Sequence, residues 1–172
     1  MDHHTVICTD LDGKQYHVSP DDMRWRPSVY GIIIEDDKIL LSPCFGDGYD
    51  LPGGGMELHE TVEQALKREV WEETGFEALV GELVSVCSSF FMPRSQYSSS
   101  KQPANAILLY YVCHITGGKL STEHFDEDEQ KHTAEATWIP ISQIDNIKFY
   151  STNDVQSVIR KAEVMINQKT TL

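Results

Sequence analysis

The stretch that decides the fold runs from residue 51 to residue 76 and reads LPGGGMELHETVEQALKREVWEETGF. It begins near three consecutive glycines at positions 53–55, where the missing β-carbons let the backbone bend tightly and approach a metal ion or a phosphate. The following spacing predicts a helix over residues 61–74, which opens with Thr61 in a capping-box pattern and stops at Gly75. The segment therefore predicts a glycine loop directly before a helix.

Three acidic side chains share one side of this predicted helix. Glu69, Glu72 and Glu73 stand at i, i+3 and i+4, so they project toward a common point. Like charges at this spacing cost on the order of a few tenths of a kcal/mol each in water, and more where water is excluded. A solvated acidic face is the alternative for the three glutamates alone. Because Arg68 can pair with Glu72 but cannot neutralise all three, the pattern favours a bound cation.

The ligand chemistry indicates which cation this would be. Carboxylates without accompanying His or Cys favour Mg²⁺, or Mn²⁺, over Zn²⁺. Mg²⁺ usually keeps several waters and takes phosphate oxygens of a substrate as further ligands. The segment therefore predicts metal-dependent phosphoryl or pyrophosphate transfer to water.

The fixed positions of this segment form one longer pattern. Gly54 is followed by five residues, Glu60, seven residues and then REVWEETGF over residues 68–76. This resembles the signature of the Nudix hydrolases, which is G, five residues, E, seven residues and R-E-U-x-E-E-x-G-U, with U a bulky apolar residue. Phe76 is the one soft match. The resemblance implies an α+β fold, the Nudix-type α/β/α sandwich with a mixed β-sheet, and in-line attack of water on one phosphorus.

The resemblance also implies a metal-ligand set and catalytic residues. Glu69, Glu72 and Glu73 become metal ligands, helped by the carbonyl group of Gly53 or Gly54. Glu69 acting as the general base instead is an open alternative, since family members differ in which glutamate accepts the proton from water.

Other catalytic residues lie around this set. Arg68 is expected to orient the glutamates by ion pairing, and Glu60 to hold the loop against the helix. Some family members use an acid outside the signature. Glu135 is the best candidate here because it stands just before Trp138, and residues 126–129 are weaker ones.

An acidic protein that binds an anionic substrate needs local positive charge. Arg24 and Arg26 flank Trp25, where a base could stack and a phosphate could pair; a surface charge pair beside a partly buried Trp is the alternative. Pro93 stands near the position of a proline that characterises the ADP-ribose-cleaving branch of the family. The predicted substrate-binding residues are Arg24, Arg26, Arg94 and Phe45.

The remaining apolar runs are mostly strand-like. A single domain over residues 1–172 is expected, with residues 1–25 as an N-terminal hairpin extension or lid. The segments predict a hairpin of 5–8 with 15–18, another of 28–34 with 38–42, strands at 79–91, 104–115 and 137–141, and a second helix that starts behind a capping box of Ser151 and Asp154.

Composition excludes several classes of partner. The chain has 172 residues and a formal net charge of -13, which would repel nucleic acid and an anionic bilayer. No apolar stretch approaches the ~20 residues that span a membrane, and the first residues do not form an export signal. The four cysteines, without a CxxC pair, are expected to be reduced, which favours a cytoplasmic location.

Three functions compete at this stage. The leading one is a hydrolase that cleaves the diphosphate of a nucleoside diphosphate linked to another group, such as ADP-ribose. The second is a sanitiser of the nucleoside triphosphate pool that releases pyrophosphate. The third is a sensor that binds a nucleotide without cleaving it. The expected partner is a nucleotide-type small molecule, and a homodimer is possible from the family resemblance.

Overall fold

A computed structural model describes residues 5–44, 48–93, 101–124 and 134–170. Within these ranges there are strands, two α-helices, and short 3-10 turns at Pro20–Asp22 and Ile141–Asn146. The strands and helices are β1 Val6–Thr9, β2 Gln15–Val18, β3 Arg24–Ile32, β4 Ile34–Glu35, β5 Lys38–Cys44, β6 Gly48–Asp50, β7 Gly53–Gly55, α1 Val62–Thr74, β8 Phe76–Phe91, β9 Ala104–Gly118, β10 Thr137–Pro140 and α2 Val155–Thr170.

Most strands belong to one mixed sheet in the order β2-β1-β8-β9-β3-β7. Strand β9 runs antiparallel to β8 and parallel to β3, and β7 is antiparallel to β3 at the edge. A second, smaller sheet has the order β10-β5-β4, with β6 paired to β5. The predicted α+β class with a mixed sheet is confirmed.

The helices cover opposite faces of the larger sheet. Val29 on β3 packs with Leu66 and Val70 of α1, whereas Tyr110 on β9 packs in the cluster that includes Ile159 of α2. This split follows from the strand period, because alternate side chains point to opposite faces. The resulting order of helix, sheet and helix is the predicted sandwich.

Helix α1 has the ends that its sequence predicts. The Thr61 hydroxyl accepts the backbone N–H of Gln64, whose side chain accepts the N–H of Thr61. At the other end Gly75 adopts φ 76°, and its N–H donates to the carbonyl group of Trp71. These local contacts set the helix and direct the chain into β8.

Helix α2 begins differently from the prediction. Asp154 accepts the backbone N–H of Ser157 at 3.0 Å, so Asp154 caps the helix. Ser151 instead accepts the N–H of Asn153 within the preceding turn. The predicted pairing of Ser151 with Asp154 in a capping box was wrong because the helix begins only at Val155.

The predicted N-terminal hairpin is present, and β1 also joins the large sheet through a parallel pairing of Thr9 with Phe91. The second predicted hairpin needs correction. Strand β3 pairs with β9, and the short β4 pairs with β5. Asp36 and Asp37, at φ 47° and 59°, form the turn between them. Both have the positive φ that a tight two-residue hairpin turn requires.

Four free cysteines agree with the predicted reduced state; Cys8 and Cys113 are buried. Neither helix of the described ranges combines the length with the apolar character that a bilayer crossing demands.

Candidate active site

The glycine loop forms β7 and lies between β3 and α1. Gly53 pairs with Tyr30, and a β-carbon on Gly53 would lie 2.1 Å from the carbonyl oxygen of Val29. A β-carbon on Gly54 would lie 2.7 Å from both carboxylate oxygens of Glu69. Both distances are far below a van der Waals contact, so only glycine lets the loop approach the strand and the acidic helix this closely.

The three glutamates of α1 meet this loop. Glu73 accepts the N–H of Gly53 at 3.0 Å and the Ser42 hydroxyl at 3.1 Å. Glu69 is 8 % exposed, and its Oε1 lies 2.9 Å from Nη1 of Arg68. Glu72 accepts the same Nη1 at 2.9 Å. The helix period therefore brings the three carboxylates to one edge of the loop.

Arg68 links the helix to the loop that precedes it. Its Nε and Nη2 donate to the two carboxylate oxygens of Glu60 at 2.6 and 2.9 Å, and Nη2 also donates to the carbonyl group of Gly55 at 3.2 Å. The hydrogen bonds from Arg68 lower the pKa of Glu60 to about 2. In turn, the hydrogen bond to Glu60 and the nearby carboxylates of Glu69 and Glu72 raise the pKa of Arg68. Arg68 therefore contacts both the loop before the helix and the acidic side chains of the helix, and its role in orienting them stays a prediction.

The donor set fits a hard divalent cation. The nearby side-chain donors are carboxylate oxygens, and the Gly54 backbone lies directly against Glu69. In the described ranges, however, no group of three His, Cys, Asp or Glu side chains surrounds a common metal position. The contacts give the reason: Arg68 pairs with Glu69 and Glu72, and Glu73 turns to Ser42.

A cleft of about 190 Å³ opens beside the glycine loop, on the face of the large sheet that α2 covers. Arg26 lies between loop and cleft: a β-carbon on Gly55 would lie 3.5 Å from its Nη2, and its Nη1 donates to Ser28 at 2.7 Å. In Arg24, Nε is buried without a hydrogen-bond partner, and burial and the charge of Arg26 lower its pKa. The lining includes Arg24, Arg26, Tyr30, Asp50, Phe91, Pro93, Tyr150, Ser151 and Thr152.

The structure thus brings together some of the predicted substrate-binding residues. Arg24, Arg26 and Pro93 line one cleft. Trp25, proposed as a stacking surface beside them, was wrongly placed: it is 69 % exposed and points to the opposite face, because neighbouring residues of a strand alternate. Arg94 and Phe45 lie outside the described residues.

Of the candidate acids outside the signature, the structure describes only Glu135. Glu135 is exposed and lies two residues before the start of β10, whose Thr137 pairs with Leu41, next to Ser42. Its catalytic role stays a prediction. Residues 126–129 lie outside the described ranges.

Sequence reasoning missed Asp50. Its carboxylate accepts the N–H of Leu51 at 2.8 Å and lines the cleft. Burial raises the pKa of Asp50 to about 7, against the opposing effects of the Leu51 hydrogen bond and the charge of Arg26. The one available signal in the sequence was the position of Asp50, which directly precedes Leu51 and lies three residues before the glycine loop. Ser42 was also missed, since nothing local in β5 connects it with Glu73 31 residues later.

Fold and site together define a class: an α+β sandwich with a glycine loop on an acidic helix, beside an arginine-lined cleft. The sequence model of the NUDIX domain matches residues 24–159. The chain therefore belongs to the Nudix family.

Two curated relatives are similar to part of this chain. An ADP-ribose pyrophosphatase from Methanocaldococcus jannaschii is 37% identical over 98 residues, which are 54% of this chain and 53% of that protein. A MutT-like protein from Streptomyces ambofaciens is 46% identical over 61 residues, 34% of this chain and 40% of that one. The chain thus spans about half or less of the length of these curated relatives.

A solved NUDIX hydrolase from Nitrosomonas europaea has the same fold. Its TM-score is 0.63 at 20% identity, and the match covers 82% of this chain and 90% of that one.

Proposed function

We propose that the chain is a metal-dependent Nudix pyrophosphohydrolase that cleaves the diphosphate of a nucleoside diphosphate linked to another group. One observation carries the proposal. The acidic edge of α1 and the cleft with Arg24 and Arg26 meet at the glycine loop, where Gly54 lies against Glu69 and Gly55 against Arg26. A diphosphate at the loop would thus touch both, while its attached groups extend into the cleft.

The metal-binding residues in this proposal are Glu69, Glu72 and Glu73, with the carbonyl oxygen of Gly53 or Gly54. Mg²⁺ is the favoured ion and Mn²⁺ the alternative, since all donors are hard oxygens. When bound, such an ion neutralises charge on the diphosphate. Arg68, itself paired with Glu60, holds Glu69 and Glu72 beside the loop, whereas the Ser42 hydroxyl and the Gly53 N–H hold Glu73.

The protein's own residues supply the rest of the chemistry. Glu69 is the candidate general base that would take a proton from the attacking water instead of binding the metal, and Glu135 is a further candidate. Arg26, next to the loop, pairs with a phosphoryl oxygen, and Arg24 donates to an acceptor deeper in the cleft. Arg94 and Phe45 remain proposed contributors to substrate binding.

The test is a turnover assay on a substrate panel. ADP-ribose, NADH, nucleotide sugars, dinucleoside polyphosphates and normal and oxidised deoxynucleoside triphosphates are each offered with Mg²⁺ or Mn²⁺, and both products are separated by chromatography. We expect two monophosphate products, with turnover lost in Glu73→Gln. Glu63→Gln is the matched control, because Glu63 lies on the same helix in an exposed ion pair with Lys67.

The products separate the competing functions. Release of pyrophosphate from a nucleoside triphosphate would contradict the proposal and would indicate a sanitiser of the nucleoside triphosphate pool. Nucleotide binding without turnover under any divalent ion would indicate a sensor. Full turnover by Glu73→Gln would contradict the role of Glu73 as a ligand.

We further propose that residues 1–172 form a single Nudix domain with residues 1–25 as an extension. The hairpin supports this, since its β1 adds to the edge of the sheet at β8. The free cysteines support a reducing, cytoplasmic location.

A further inference from the structure

The floor of the cleft crosses the large sheet from β3 to β8. The strand register aligns Arg26 of β3 with Ala106 of β9 and with Ser89 of β8. Ala106 is buried, and its short side chain leaves the middle of this row open. The backbones of Arg26 and Ser89 lie two strand spacings, or about 10 Å, apart. An open track therefore leads from the arginine beside the glycine loop to a hydroxyl group on β8.

The N-terminal hairpin closes the far end of this track. Its strand β1 meets β8 where Thr9 pairs with Phe91. Leu11, in the turn between β1 and β2, lines the cleft together with Ser89 and Thr152. The Thr152 hydroxyl donates to the Ser89 hydroxyl at 3.0 Å, so the loop before α2 is joined to β8 at the same place.

A second compartment of about 390 Å³ adjoins the cleft, between the hairpin and β8. The two share four lining residues, which are Leu11, Ser89, Ser151 and Thr152. Ligand sites typically have volumes of ~300 to 1,000 Å³. The cleft alone, at about 190 Å³, is smaller than this range, whereas cleft and compartment together lie within it. A ligand of ordinary size in the cleft would therefore extend into the compartment.

Hydrogen bonds fix the hairpin turn that forms one wall of the compartment. Asp10 is buried, and its Oδ1 accepts the backbone N–H groups of Asp12 and Lys14 at 2.9 and 3.0 Å. Its Oδ2 accepts the Tyr16 hydroxyl at 3.1 Å. The backbone N–H of Gly13 also donates to the carbonyl group of Asp10. The wall is thus held in shape without a ligand.

The lining indicates which part of a substrate fits the compartment. Among the described residues that line it, Asp10 is the single charged one, and its carboxylate already accepts hydrogen bonds from the turn. A phosphate group would find no positive charge there, unlike beside Arg26. An uncharged group with apolar faces and a hydrogen-bonding edge fits the mixed lining, which includes the side chains of Thr9, Ser89, Thr152, Ile7 and Leu11.

We propose that the compartment between the N-terminal hairpin and β8 is the subsite for the nucleobase of the substrate. This inference rests on the proposed function, which places the diphosphate at the glycine loop. A phosphoryl group beside Arg26 is followed by the ribose above Ala106, and the base reaches Ser89, Thr152 and Leu11. The nucleoside is the longer arm of ADP-ribose or of a nucleotide sugar, because it consists of a ribose and a base, whereas the other arm is one sugar ring.

Leu11→Trp tests the proposal, because the larger side chain fills part of the compartment. Isothermal titration calorimetry with Mg²⁺ measures the binding of methylene-bridged analogues of ADP-ribose, ADP and pyrophosphate, which cannot be hydrolysed at the bridge. We expect the affinity for the first two analogues to fall at least about 10-fold, and that for the pyrophosphate analogue to stay unchanged. With a cleaved nucleotide substrate, KM should rise while kcat stays the same, since only binding energy is lost.

A matched control and a second variant accompany this measurement. Leu79→Trp makes the same substitution at an exposed position near the start of β8, and it should bind all three analogues like wild type. Thr152→Val removes the hydroxyl at nearly constant volume and should weaken binding of the ADP analogue by about 2- to 10-fold. Thermal unfolding shows that each variant is folded.

The binding measurements keep this proposal distinguishable from hydrolysis. If wild type binds the analogues but cleaves no substrate, the proposed hydrolysis is wrong, and weaker binding by Leu11→Trp still supports the subsite. Wild-type affinity of folded Leu11→Trp for the ADP analogue would overturn the subsite. A loss confined to the ADP-ribose analogue would overturn it too, because the sugar arm would then occupy the compartment. Should Leu11→Trp fail to fold, wild-type affinity of Thr152→Val would have the same meaning.

Discussion

Neighbouring glycines of the loop have different tolerance for a side chain. At Gly54 an added β-carbon would meet the Glu69 carboxylate at 2.7 Å, whereas at Gly55 the nearest atom would be Nη2 of Arg26 at 3.5 Å. At 2.7 Å the Glu69 carboxylate would have to move away from the added β-carbon of Gly54. At 3.5 Å the added β-carbon of Gly55 would make an ordinary van der Waals contact with Arg26. One added methyl group can thus move a candidate metal ligand without disturbing the core.

Gly54→Ala should therefore lower turnover by about 100-fold, the typical effect of misplacing a catalytic group by roughly 1 Å. Because the Glu69 carboxylate is the end of a flexible side chain, the melting temperature should change little. Gly55→Ala is the control and should keep turnover within about 3-fold of wild type. Steady-state kinetics with thermal unfolding check both. Equal activity of the two variants would contradict the role given to the Gly54–Glu69 contact.

At the scale of elements, Arg68 joins the loop before α1 to the helix itself. It donates to Glu60 in the loop and to Glu72 one turn further along the helix. Only 7% of the Glu60 side chain is accessible, so little water competes for this ion pair. The register between β7 and α1 depends on this link as well as on apolar packing.

Glu60→Gln should destabilise the fold by about 1.5 to 3 kcal/mol at neutral pH, the usual range for a hydrogen bond to a charged group. Because Arg68 lowers the pKa of Glu60 from 4.5 to about 2, the stabilisation is fully present above pH 4.5 and is lost as pH falls through about 2. Urea unfolding of both proteins across this range checks the prediction. The solvent-exposed Glu63→Gln should cost under about 0.5 kcal/mol. If the difference in unfolding free energy between wild type and Glu60→Gln did not change with pH, this prediction would be wrong.

At the scale of the whole molecule, the candidate metal site connects parts that are distant in the chain. Glu73 of α1 bonds to Ser42 of β5 and to Gly53 of β7, so it joins the two sheets and the helix. A ligand that binds only the folded arrangement stabilises the entire domain.

Mg²⁺ should raise the melting temperature for this reason. At 100 times its dissociation constant the gain is about 2.7 kcal/mol, or roughly 5 to 10 °C for a domain of this size. Glu73→Gln should lose most of the shift, and Glu63→Gln should keep it. Differential scanning fluorimetry with and without a chelator makes the comparison. The same shift in Glu73→Gln would remove Glu73 from the ligand set.

The sequence by itself determined the helix α1, its two ends and the family. Thr61 and Gly75 act through hydrogen bonds within a few residues, and the spacing from Gly54 to Glu73 is a property of the chain alone. Such local interactions form in the same way wherever the segment lies, so their pattern is visible without the fold.

Only the tertiary structure decided which side chains meet at the cleft. Trp25 points away from Arg24 because β3 alternates within a sheet that pairs it with β9, about 80 residues away in sequence. Asp50 acquires its raised pKa from burial, and Ser42 meets Glu73 only when β5 and α1 pack together. Strand register and burial depend on segments far apart in the chain, and no local pattern of residues specifies them.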